Sequence, residues 1–128
     1  MLKFRAVQLA GLLLLSLILV ACGSAAGGNP APAVSIQAGA QAMRQALAGV
    51  QKAVEAADVN QAKAGGDALE AAWAKFEDAV KAKDKALYGQ IEEPLGAIEA
   101  GVKATPMDLT TLAGQIRKLD GLLAPLAK

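Results

Sequence analysis

Residues 62–102 read AKAGGDALEAAWAKFEDAVKAKDKALYGQIEEPLGAIEAGV, and their periodicity decides the fold. Ala62, Gly66, Leu69, Trp73, Phe76 and Val80 follow one another in alternating steps of four and three. Leu87, Ile91, Leu95, Ile98 and Val102 keep the same spacing. At 3.6 residues per turn each set falls on one face of an α-helix, with polar residues on the other face. The spacing therefore predicts one helix starting near Asp58 and running through Val80, and a second from Asp84 to Val102. Two features disturb the pattern. Gly65-Gly66 either weakens the first helix locally or lets a neighbour approach closely. Pro94 lies inside the second helix and is expected to kink or break it.

Working outward, the residues on either side continue in the same way. Residues 35–57 carry Ile36, Met43, Leu47, Val50 and Val54 at helical spacing, and Asp58 is placed to cap the helix that follows. Beyond Val102, Thr105-Pro106-Met107-Asp108 opens a last helix with Asp108 as its cap and Leu109, Leu112, Ile116, Leu119, Leu122 or Leu123, and Leu126 on its inner face. There is no period-two alternation and no hairpin signal. Short connections place consecutive helices antiparallel, so the expected architecture is an all-α, up-down four-helix bundle; a three-helix core with a loose first helix, or a helical oligomer, is the alternative. Many seam positions are alanine or glycine, and only Trp73 and Phe76 supply bulk.

Composition narrows the function. The 128 residues include 30 alanines, 13 basic and 12 acidic side chains, four aromatic residues and no histidine. Even charge and few aromatics give no basic face or stacking platform for nucleic acid. A single cysteine, Cys22, rules out an intramolecular disulfide. Zinc sites built on several cysteines, Cys–His nucleophiles and Ser–His–Asp triads all lack partners, and the phosphate-loop and dinucleotide motifs are absent. The chain is not expected to be an enzyme.

The N-terminal residues supply an address. Lys3 and Arg5 precede an apolar run, Leu9 to Val20, broken only by Gly11 and Ser16. The run is short for a bilayer, which needs about 20 apolar residues, and ends in small residues as a secretory signal does. Leu19-Val20-Ala21-Cys22 resembles the lipobox of bacterial lipoproteins. The resemblance implies cleavage after residue 21, a thioether-linked diacylglycerol on Cys22, acylation (palmitate among the chains) of the new amine, and an extracytoplasmic protein held at the cell membrane or outer membrane. Two or more chains give stable anchoring where one is marginal. Residues 22–34 read as a flexible, uncharged Gly/Pro/Ala tether, about 20 Å across as a coil, and residues 35–128 as the folded domain. From Cys22 onward there are eleven basic and twelve acidic side chains, a balance that leaves the lipid rather than a basic patch to hold the protein to its membrane.

One constellation is chemically suggestive. Glu70, Trp73 and Glu77 share a stripe on one helix, and Tyr88, Glu92 and Glu99 share one on the next. Antiparallel pairing would bring Glu77 towards Glu92 near the connecting turn. Carboxylates from facing helices with a tyrosine alongside suit iron or a hard divalent cation; the plainer reading is solvated charge paired with Lys75, Lys81 and Lys85. Residues 71–104 resemble a segment of the extracytoplasmic helical part of high-affinity iron permeases and the related imelysin-like periplasmic proteins, through Trp73, Glu77, Tyr88, Ile91 and Glu92 and a leucine-rich helix downstream. The resemblance implies a role in iron or other metal uptake with Glu77 and Glu92 as metal ligands, Trp73 and Tyr88 flanking them, and a permease or other envelope protein as partner. The His-x-x-Glu motif of the imelysin-like proteins has no counterpart in a chain without histidine.

Overall fold

The computed structural model describes residues 34–128. Five α-helices follow one another: α1 (Ile36–Glu55), α2 (Val59–Trp73), α3 (Glu77–Lys83), α4 (Lys85–Lys103) and α5 (Leu109–Leu123). The signal and lipobox, residues 1–21 with Cys22, and all of the tether but Val34 lie outside the described residues.

Side-chain caps set the helix starts. Ser35 accepts the Ala38 N–H at 3.1 Å; Asp58, Asp84 and Asp108 accept the N–H groups of Gln61, Leu87 and Thr111, each at 2.9 Å. Each such bond satisfies a donor that the first turn of a helix would otherwise leave open. α1 ends in a Schellman turn: Asp58 N–H reaches the Ala53 carbonyl and Ala57 N–H the Val54 carbonyl. That turn needs a left-handed residue, and Ala57 takes it with φ 53° where glycine is usual.

Four helices close a ring. α1 packs on α2 and α5, and α4 packs on the same two. All four contacts are antiparallel. Gly39 lies against Phe76 and Gly65 against Val50; Gly66 lies against Val102 while Trp73 meets Glu92. Gly101 lies against Leu112 while Glu93 meets Lys118; Gln41 bonds to the Ala127 carbonyl while Arg44 pairs with Asp120. This is the expected up-down bundle, with α1 fully part of the core through Met43, Leu47, Val50 and Val54. No polar or charged residue is buried among the described residues.

Three expectations change in detail. The helix predicted from Asp58 through Val80 is interrupted at residues 74–76, and its last part is the separate α3. The cause is aromatic: Phe76 leaves the helical region (φ −141°, ψ 0°), and both its ring and that of Trp73 then turn inward, 5.0 Å apart and nearly perpendicular. Room for Phe76 exists because residue 39 is glycine; a Cβ there would overlap the ring. Glu77 and Asp78 then occupy the first turn of α3 and Lys81 and Lys83 its last, each favourable to the helix dipole. Second, Pro94 does not divide α4, which runs unbroken for 19 residues. The proline forgoes one i→i−4 bond but buries its ring, and the packed helix on either side holds the segment in register. Third, Leu109 is 42 % exposed rather than inward. It is the first residue of α5, and side chains lean towards a helix N-terminus, so it projects past the bundle. Gly65-Gly66 resolves as close approach: α2 is continuous there, and added Cβ atoms would stand 2.9 Å from Val50 Cγ2 and 3.0 Å from Val102 Cγ2.

Candidate functional site: the seam between α2 and α4

The two stripes of the sequence face each other along one seam. At its α3 end Trp73 Nε1 donates to Glu92 Oε1 at 2.5 Å, and the Trp73 ring stacks on Tyr88 at 5.7 Å. The Lys81 ammonium lies 5.0 Å from the centre of the Tyr88 ring, a cation–π contact. Tyr88 holds its proton more tightly than a free phenol: desolvation is the main cause, followed by the charges of Glu92 and Glu77, a hydrogen bond to Glu92 and the charge of Asp78. The charges of Glu92 and Glu77 both bear on Tyr88, although Glu77 opens α3 beyond the break at residues 74–76 and does not continue the α2 stripe of Glu70 and Trp73. Glu92 accepts the Trp73 indole N–H.

Among the described residues no three His, Cys, Asp or Glu side chains come together as a ligand set. Glu92 already accepts the Trp73 indole N–H.

Farther along the seam is a second pair, whose members the sequence stripes contain but do not single out. Glu99 of α4 lies within hydrogen-bonding reach of Glu70 of α2. Its carboxyl is pushed up to about 7, chiefly by desolvation, then by the hydrogen bond and charge of Glu70; Glu92 adds to the effect, and Lys103 opposes it. With both groups ionised, Glu99 Oε1 is a buried atom without a partner. One proton between the two carboxyls satisfies it, which is the chemical sense of the raised value. Only the meeting of α2 and α4 creates this environment, so sequence spacing alone offered no signal for it.

The outer face of α1 and α5 carries a different feature, an open groove of about 500 Å³ lined by Gln41, Arg44, Gln45, Ala48, Asp120 and Ala127. Arg44 spans it to Asp120, Nε to Oδ1 at 2.7 Å, and its guanidinium is held more firmly charged by that hydrogen bond and by the carboxylate's charge. Comparison with protein-family models, curated proteins and solved structures gives no match to the chain.

Proposed function

We propose that the protein is a lipid-anchored, extracytoplasmic helical binding module that displays its bundle from a membrane by a short tether. The observation that carries this is the order of parts: basic start, apolar run, Leu19-Val20-Ala21-Cys22, an uncharged Gly/Pro-rich stretch, then a bundle whose first cap is Ser35. Of the two roles expected from sequence, metal uptake and partner binding, the seam favours the second, because Glu92 already accepts the Trp73 indole N–H. The open groove over α1 and α5 is the surface on which an envelope protein would sit.

Metabolic labelling with a palmitate analogue, followed by membrane fractionation, tests the anchor. The unmodified chain takes up label and sediments with the envelope; Cys22→Ser does neither. Equal labelling of the two overturns the reading. Calorimetric titration of residues 34–128 with Fe³⁺ separates the two roles. No saturable heat is expected, whereas binding that disappears in Glu77→Gln with Glu92→Gln would restore the metal role.

A further inference from the structure

Two features at the Ala57–Asp108 end of the bundle are neighbours. Among the described residues only Val59 and Leu109 are large, apolar and exposed, and both lie at this end, each the first residue of its helix after an aspartate cap. One turn along α5 from Leu109, α1 and α5 enclose a recess of about 110 Å³. Val54, Ala113 and Ile116 floor it, and the exposed Gln51, Glu55 and Arg117 stand at its rim. Its volume is roughly that of four waters in the liquid, room for one leucine side chain. Leu109, Ala113, Ile116 and Arg117 share the stripe of α5 that faces α1, and Leu109 continues it past the point where α1 ends. Side chains lean towards a helix N-terminus, so Leu109 points away from the recess on its own chain.

The charges keep the same spacing. Asp108 precedes Leu109, and Arg117 follows Ile116. Arg117 takes part in neither ion pair among the described residues. The pairs 109/116 and 108/117 are both centred between residues 112 and 113. One two-fold axis at that point therefore brings Leu109 of one copy to Ile116 of another and, in the same register, Asp108 to Arg117. Ala113 is half-buried there, and nothing lies within 4 Å of where a Gly114 Cβ would stand, so two α5 helices have room to approach. Over residues 51–58 and 108–117 the charged groups are Lys52 and Arg117 against Glu55, Asp58 and Asp108, close enough to balance that net repulsion is small.

We propose that this end pairs two copies of the chain about that axis, each Leu109 seated in the recess of the other copy. The contact is isologous, so every interaction is made twice. Two such side chains and two charge pairs cover less surface than a permanent dimer needs, which makes the pairing weak and reversible. It lies about 30 Å along α1 from Ser35 and leaves the groove at Gln41, Arg44 and Gln45 open. A pair thus presents two grooves in place of one.

The test uses two differently tagged copies of the full chain produced together, one with Leu109→Cys and the other with Ala113→Cys, in cells treated with a mild oxidant. The disulfide that joins the two tags should exceed, by at least about fivefold, that from Leu109→Cys with Gln41→Cys, a position this pose holds away from Leu109. Arg117→Glu in both copies sets like charges beside Asp108 and should lower the joined product about threefold. Arg117 is exposed and outside every ion pair among the described residues, so the bundle should keep its helix content, which circular dichroism checks. A yield no greater than that of the control pair overturns the pairing. A product unmoved by Arg117→Glu overturns its two-fold register.

Discussion

Replacing Glu99 by glutamine should make the bundle more stable at pH 8 and leave it almost unchanged at pH 5. The carboxyl of Glu99 is raised from 4.5 to about 7 by burial against Glu70. Below pH 4.5 the group is protonated whether the chain is folded or not, and the folded state keeps the full benefit of the shared proton. Between 4.5 and about 7 the folded chain binds the proton and the unfolded chain does not, so stability falls as pH rises through this window and levels off above it. At about 1.36 kcal/mol for each pH unit between the two values, the ceiling is ~3 kcal/mol. Glu99 keeps part of its surface in water, and screening brings the expected loss to about 1–2 kcal/mol. A glutamine amide donates to Glu70 as the protonated acid does and cannot ionise. Urea unfolding followed by Trp73 fluorescence should show the unmodified protein losing about 1 M in midpoint between pH 5 and pH 8, with Glu99→Gln losing much less. If both proteins show the same pH dependence, Glu70 and Glu99 share no proton and the reasoning fails.

Gly39→Ala places a methyl group inside the Phe76 ring and should destabilise by about 1–3 kcal/mol. Gly49→Ala, on the exposed side of the same helix with nothing near its Cβ, should instead stabilise by about 0.5–1 kcal/mol, and thermal melts of the two should move in opposite directions. Ala57→Gly relieves a left-handed alanine in the turn after α1, and a gain of about 0.5–1 kcal/mol is expected from chemical denaturation; a loss would mean the turn is not strained. The Asp108 carboxyl is held below its ordinary value, first by the Thr111 N–H and then by the Thr111 hydroxyl. Its contribution is present above the unfolded value and lost as pH falls through the folded one. Asp108→Asn should therefore flatten acid unfolding below pH 4, and an acid limb identical to that of the unmodified protein would count against the cap.

Helix faces were legible because apolar spacing is a property of one helix at a time. Leu69, Val80, Ile91, Ile98 and Val102 are all buried where the spacing put them, and the caps at Asp58 and Asp108 were readable from single residues. The break after Trp73 was not, because no glycine or proline marks it. It arises from two rings seeking the core together and from a glycine more than thirty residues earlier that makes room. Pro94 does not break α4, for the converse reason: packing along the helix outweighs a local rule that disfavours its continuation. Tyr88 and Glu92 meet Trp73 across the seam while Glu77 opens α3 instead of extending the α2 stripe, and whether Glu92 is free for a ligand depends on the direction of the Trp73 indole, which spacing does not encode. The Glu70–Glu99 pair is wholly a product of the seam.

The interruption at residues 74–76 also divides the molecule mechanically. α3 has only seven residues and one buried side chain, Val80, and leans chiefly on α4. A helix that short has little stability of its own, so it opens locally at a lower free energy than the four long helices. The end of the bundle that holds α3 is therefore its soft end. Any pull transmitted from the N-terminal side enters at Ser35, beside the element that yields first. Amide exchange should consequently be fastest over residues 77–83, and strain applied through the N-terminus should be absorbed there before it reaches the core around Ile98 and Leu119.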